Sequence, residues 1–95
     1  MNREPPDPLE HCVRRRILRC LHRDFAAHTT EELAASVGID RDDVLYHCRV
    51  LAKWGTVKRY EGPSGFLVES LVADDPEVLF LLHATEVEDE ASGSA

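Results

Sequence analysis

No stretch of this sequence is long and apolar enough to cross a membrane. The longest strongly apolar run is Val78 to Leu82, against the ~20 residues that a spanning helix needs. Residues Met1 to Pro8 are polar and rich in proline. They lack the apolar segment of a secretory signal, and a cytoplasmic protein without a membrane partner is expected. Cysteine is scarce, with three in 95 residues and none of the paired spacings of a zinc site. Cys12 and Cys20 fall eight residues apart. On one helix that is about 12 Å of axial rise, too far for a disulfide within the chain, so reduced thiols are expected. A glycine-rich phosphate loop and a carboxylate pair placed for acid–base work are also missing. His47 and Cys48 are adjacent, but neighbours on a helix diverge by about 100° and do not form a nucleophile–base dyad. A non-enzymatic chain with no catalytic residue, no cofactor and no metal site is expected.

Positive charge is missing from the last third. All 11 lysines and arginines lie in residues 1–60 beside nine acids, a net of +2, whereas residues 61–95 carry nine acids and no cation, a net of −9. The overall charge of −7 therefore argues against nucleic acid only for the C-terminal third. It leaves a weakly positive surface before it. At 43% hydrophobic and 31% charged residues, the composition is that of one folded domain. A chain this short leaves apolar surface poorly covered, which dimers commonly remedy.

The remaining pattern is mainly helical. Residues 1–8 read as a disordered arm, 9–86 as a single domain and 87–95 as an acidic flexible tail. Leu9, Val13, Ile17, Cys20 and Leu21 form a helical stripe over Leu9 to Asp24. Arg15, Arg19 and Arg23 lie opposite, as a solvated face or one near phosphates. Phe25 to His28 is a connector. Thr29 and Glu32 have capping-box spacing for a short helix over Glu31 to Val37, which Gly38 stops. Asp40 caps a helix from Arg41 to about Trp54. Its inward stripe is Val44, Cys48 and Leu51; its outward face is Asp42, Tyr46, Arg49 and Lys53, with Leu45 at the edge. Two strands, Val57 to Glu61 and Phe66 to Leu71, flank the turn residues Gly62-Pro63-Ser64-Gly65. Asp75 and Pro76 start a last helix. The expected fold is mainly α with a small β-hairpin (α+β), in the order α-α-α-β-β-α. That is the order of a winged helix-turn-helix, whose second helix can enter a major groove.

Four segments carry a family resemblance. Arg14 to Leu21 (R-R-R-I-L-R-C-L), Glu32-Leu33-Ala34 followed by Val37-Gly38-Ile39, Val44 to Leu51 (V-L-Y-H-C-R-V-L) and Gly55-Thr56-Val57 resemble the ArsR-type winged-helix repressors over roughly residues 10–71. The resemblance implies a homodimer through the first and last helices, double-stranded DNA as partner, and regulation of transcription. It departs at the front of the recognition helix. Family members commonly carry Gln, Ser, Thr, Ser and Arg where this chain has Arg41, Asp42, Asp43, Leu45 and Tyr46. His83 and Glu86 resemble half of a zinc site that some members build. Ser70 and Val72 replace the other half, and Ala34 to Val37 replace the cysteine pair, so metal sensing is set aside.

The candidate DNA contacts are Thr30, Arg41, Leu45, Tyr46, His47, Arg49, Lys53, Lys58 and Arg59. Arg49 and Lys53 suit phosphate or guanine, and Tyr46 and Leu45 suit a phosphate or a thymine methyl. Lys58 and Arg59 are neighbours in a strand and point to opposite faces. Asp42 and Asp43 favour the helix through its dipole and repel phosphate. The alternative is a winged-helix module that has lost DNA binding and meets a protein partner through Asp42, Asp43, Tyr46 and the acidic tail. A third possibility is redox sensing by Cys12 or Cys20 across a dimer.

Overall fold

A computed structural model describes residues 7–63 and 65–93. The expected arm at residues 1–6 lies outside them. Asp7 and Pro8, expected as the end of that arm, instead belong to an ordered turn. The Asp7 carboxylate accepts from the Leu9 N–H at 2.8 Å and caps a single 3₁₀ turn, Pro8–Glu10, with Pro8 and Leu9 buried. Helix α1 (Cys12–Asp24) therefore starts three residues later than the apolar stripe suggests, with extended His11 as its cap.

Helix α1 is the central element of the core. Ile17, Leu18, Cys20 and Leu21 are buried. They meet Leu33 and Val37 of α2 (Thr30–Val37), Val44, Cys48 and Leu51 of α3 (Arg41–Lys53), and Leu82 of α4 (Pro76–Ala84). The other side of α1 is covered as well. Arg15 is only 8% exposed and Arg19 is half-buried, while Arg23 alone of that stripe is exposed. The arginine stripe is thus mostly not a solvated face, because a further helix, α5 (Glu86–Gly93), presents Asp89 to it.

Helices α2 and α3 begin as their caps dictate. Thr29 and Glu32 form the reciprocal capping box, with side-chain to backbone bonds of 3.1 and 2.9 Å. The Asp40 carboxylate accepts from the Asp42 N–H at 3.1 Å. Gly38 takes a left-handed φ of 78° between the two helices, which a side chain would disfavour. At the far end of α3, Gly55 at φ 74° and Thr56 donate to Ala52 and Leu51 at 3.0 and 2.9 Å. This is the Schellman pattern, which satisfies the last carbonyls of a helix.

The sheet has three antiparallel strands, one more than expected. Strand β2 (Val57–Gly62) pairs with β3 (Gly65–Ser70) as the expected hairpin, with Val57 opposite Ser70 and Gly62 opposite Gly65. Strand β1 (His28–Thr29) lies in and just beyond the expected connector. It pairs with the other edge of β3 through His28 opposite Val68 and Thr29 opposite Leu67. A two-residue strand has no periodicity to read, and its partner is forty positions away. The last helix also differs from expectation. It breaks at Thr85 into α4 and α5, so residues 87–93 of the expected tail 87–95 are helix, and residues 94–95 lie outside the described residues. The result, among the described residues, is an α+β domain of five α-helices and one sheet. Among the described residues no helix is long and apolar enough to cross a membrane.

Candidate functional site

Helix α3 turns one face inward and leaves the other to solvent. With Val44, Cys48 and Leu51 fully buried, the 100° step of the helix sends Asp42, Tyr46, Arg49 and Lys53 outward, and all four are exposed. Arg49 and Lys53 are one turn apart and make no ion pair among the described residues. Tyr46 is 58% exposed, and Leu45 beside it is half-buried. The first turn carries opposite charge, since Asp40, Asp42 and Asp43 are exposed there. Arg41 is exposed too, but its guanidinium lies 3.5 Å from the Glu31 carboxylate.

Tyr46 is held from behind. The Arg14 guanidinium of α1 lies 5.9 Å from the centre of its ring, a cation–π distance. The Arg14 Nε donates to His47 Nδ1 at 3.0 Å, and the His11 and His47 rings meet with centroids 4.6 Å apart. His47 is buried. Burial holds its pKa below the usual histidine value, helped by His11 and Arg14, which keeps Nδ1 free to accept. His47 therefore supports the outer face from within and is poorly placed to reach a phosphate. Arg14 belongs to this cluster although the sequence reading did not single it out. It lies 33 positions from His47, so no local pattern connects them.

The remaining candidates divide. Thr30 is buried at the first turn of α2. Lys58 is exposed on β2, with its ammonium 5.9 Å from the Tyr60 ring. Arg59 points to the opposite side, half-buried over the Phe66 ring at 5.1 Å. Arg41, Tyr46, Arg49, Lys53 and Lys58 thus reach solvent, Leu45 partly so, while Thr30, His47 and Arg59 are engaged in the fold.

The other chemistry is separate from this face. The three cysteines are free. Burial pushes the Cys48 thiol up to about 11, which makes it a poor nucleophile at neutral pH. His83 and Glu86 line a groove of about 560 Å³ with Arg16, Arg19 and Leu79. The Ser70 hydroxyl is engaged by His22 Nε2 at 2.7 Å. Among the described residues one set of metal-type ligands converges, Cys20, Asp24 and His28. Comparison with family models, curated proteins and solved structures finds no match for the chain.

Proposed function

We propose that this chain is an ArsR-like winged helix-turn-helix regulator of transcription that binds duplex DNA as a homodimer and performs no catalysis. The order supports it: α2, a tight turn at Gly38, α3, then the β2–β3 hairpin in the place of a wing. The observation that carries the reading is the outer face of α3, where Arg49 and Lys53 stand exposed and unpaired beside Tyr46. Arg49 and Lys53 take phosphate oxygens or a guanine edge, and Tyr46 donates to phosphate or packs on a thymine methyl with Leu45. Lys58 adds a contact from the hairpin. The acids in the first turn repel the backbone, so the C-terminal half of α3 makes the closest approach.

Pairing of two copies uses the apolar side chains left uncovered on the last two helices. Phe80 is 75% and Val87 81% exposed, with Leu79 also exposed. Helix α1 is largely covered within the chain and contributes less. Two α3 helices then enter major grooves about 34 Å apart.

A protein-binding module is the second reading, favoured by the exposed Tyr46 and Trp54 beside acids. Polarisation titrations with duplex DNA separate the two. Under the DNA reading, the double substitution R49A/K53A weakens binding at least ~10-fold, as expected for loss of two charged contacts. No duplex binding by the unsubstituted chain, together with a protein partner whose binding survives R49A/K53A but is lost in Y46A, would support the protein-type surface instead.

A further inference from the structure

At the C-terminal end of α1, three side chains of different ligand type point at one another. Cys20 and Asp24 are one helical turn apart on α1, and His28 follows in β1. One ligand atom from each, the sulfur, a carboxylate oxygen and a ring nitrogen, lies within 4.8 Å of the other two. His28 Nε2 and Asp24 Oδ2 are 2.9 Å apart. Yet Nε2 is buried and makes no hydrogen bond, so the two atoms sit side by side rather than along a donor axis. Tetrahedral zinc ligands stand about 3.3–3.7 Å apart, given metal–ligand distances of about 2.0–2.3 Å. The nitrogen and oxygen, 2.9 Å apart, are near that spacing, and the sulfur, within 4.8 Å of both, needs to close by no more than about 1 Å to reach it.

The histidine is also oriented from its far side. Its Nδ1 faces Glu32 Oε2 at 3.6 Å, while Glu32 Oε1 is fixed by the Thr29 N–H of the capping box at 2.9 Å. A carboxylate near Nδ1 favours the ring proton there and leaves Nε2, beside Asp24, as the unprotonated nitrogen, the tautomer that a carboxylate behind a metal-bound histidine selects. The negative end of the α1 dipole adds a field that favours a cation at Asp24.

We propose that Cys20, Asp24 and His28 form a site for a zinc-class divalent ion, with Glu32 as its positioning residue and a water completing four ligands. A thiolate, an imidazole and a carboxylate select such an ion over magnesium or calcium. Binding releases the Cys20 thiol proton to solvent. The bound ion ties the end of α1 to β1, and through β1 to the start of α2 and to β3. The proposal does not depend on DNA binding.

Cobalt(II) is the probe. The full reduced chain titrated with Co²⁺ takes one equivalent, with a thiolate-to-cobalt charge-transfer band and the strong visible bands of four-coordinate cobalt, and Zn²⁺ displaces it. D24N and H28Q each weaken binding at least ~10-fold while circular dichroism shows the fold retained. C20S removes the charge-transfer band; because Cys20 is a core residue, D24N and H28Q keep the test decisive should C20S fail to fold. E32Q keeps the capping box, which accepts glutamine, yet weakens cobalt binding about 10–100-fold. A purely structural role for Glu32 would leave the affinity unchanged. The absence of a thiolate band, or a band that D24N and H28Q leave unchanged, overturns the site.

Discussion

A carboxylate removed from water costs several kcal/mol unless its partners are well placed. Asp89 is 1% exposed because two guanidinium groups meet it, Arg15 through bonds of 2.6 and 2.8 Å and Arg19 at 2.7 Å. Arg19 also donates to the Leu82 carbonyl at 2.7 Å, satisfying a carbonyl near the end of α4. Removing the carboxylate leaves Arg15 buried without a counter-charge, so D89N should cost about 3 kcal/mol in a denaturant titration. Hydrogen bonds from Arg15, with Arg19 beside it, hold the Asp89 carboxyl down to about 2. A depressed acid contributes stability that is present above its unfolded value, ~3.9, and lost as pH falls toward 2. Acid unfolding in that window should therefore lose on the order of 2 kcal/mol in the native chain and much less in D89N. His47 acts earlier. Its lowered value means that the unfolded chain takes up the proton first, so stability declines as pH falls below about 6.5; His11 and His22 are lowered as well, so H47Q should reduce that step without abolishing it. Phe25 offers a gain. It is 84% exposed at a left-handed φ of 48°, which suits glycine. F25G should raise stability by about 0.5–1 kcal/mol in the same titration.

Among the elements, the capped helices stabilise themselves locally. T29A removes one half of a capping box and should cost about 1 kcal/mol. G38A forces a side chain into left-handed backbone and should cost about the same. Both α2 and α3 were legible because their caps, glycine stops and 3.6-residue stripes lie within a dozen residues of one another. The same holds for the hairpin, whose two strands flank obvious turn residues. Strand β1 was not legible, because its only pattern is its pairing with β3. Nor was α5: an acidic segment without nearby cations reads as a solvated tail, and its partners Arg15 and Arg19 lie 74 and 70 positions away. Long-range pairing also explains the candidate site. The outward face of α3 follows from periodicity alone, so Tyr46, Arg49 and Lys53 were readable. The burial of His47 beneath Arg14 and the engagement of Arg59 over Phe66 depend on other elements, so they were not.

At the scale of the whole molecule, charge is divided in a way the total hides. Residues 61–95 hold half of the 18 acids and none of the cations, and the arginines of α1 are mostly turned inward: Arg14 to His47, Arg15 and Arg19 to Asp89, and Arg16 to the Val37 carbonyl. The exposed cations on α3 and the hairpin are Arg49, Lys53 and Lys58, with Arg41 shared with Glu31, while exposed Arg23 stands apart at the end of α1. On the proposed DNA reading one chain offers too few contacts for firm binding, and the proposed dimer doubles them. F80D, on the exposed apolar side of α4, should shift sedimentation toward the monomer and lower DNA affinity in parallel. The proposed contact between the α3 face and the DNA backbone is read out by ionic strength. Fluorescence polarisation with a random-sequence duplex, at about 50 and about 200 mM salt, reads the number of phosphates neutralised. Three free cations per chain in a dimer predict about six contacts and a loss of about 10³ in affinity between the two conditions. Binding that is absent at both, or present and indifferent to salt, would rule out the phosphate contacts and leave the face to a protein partner.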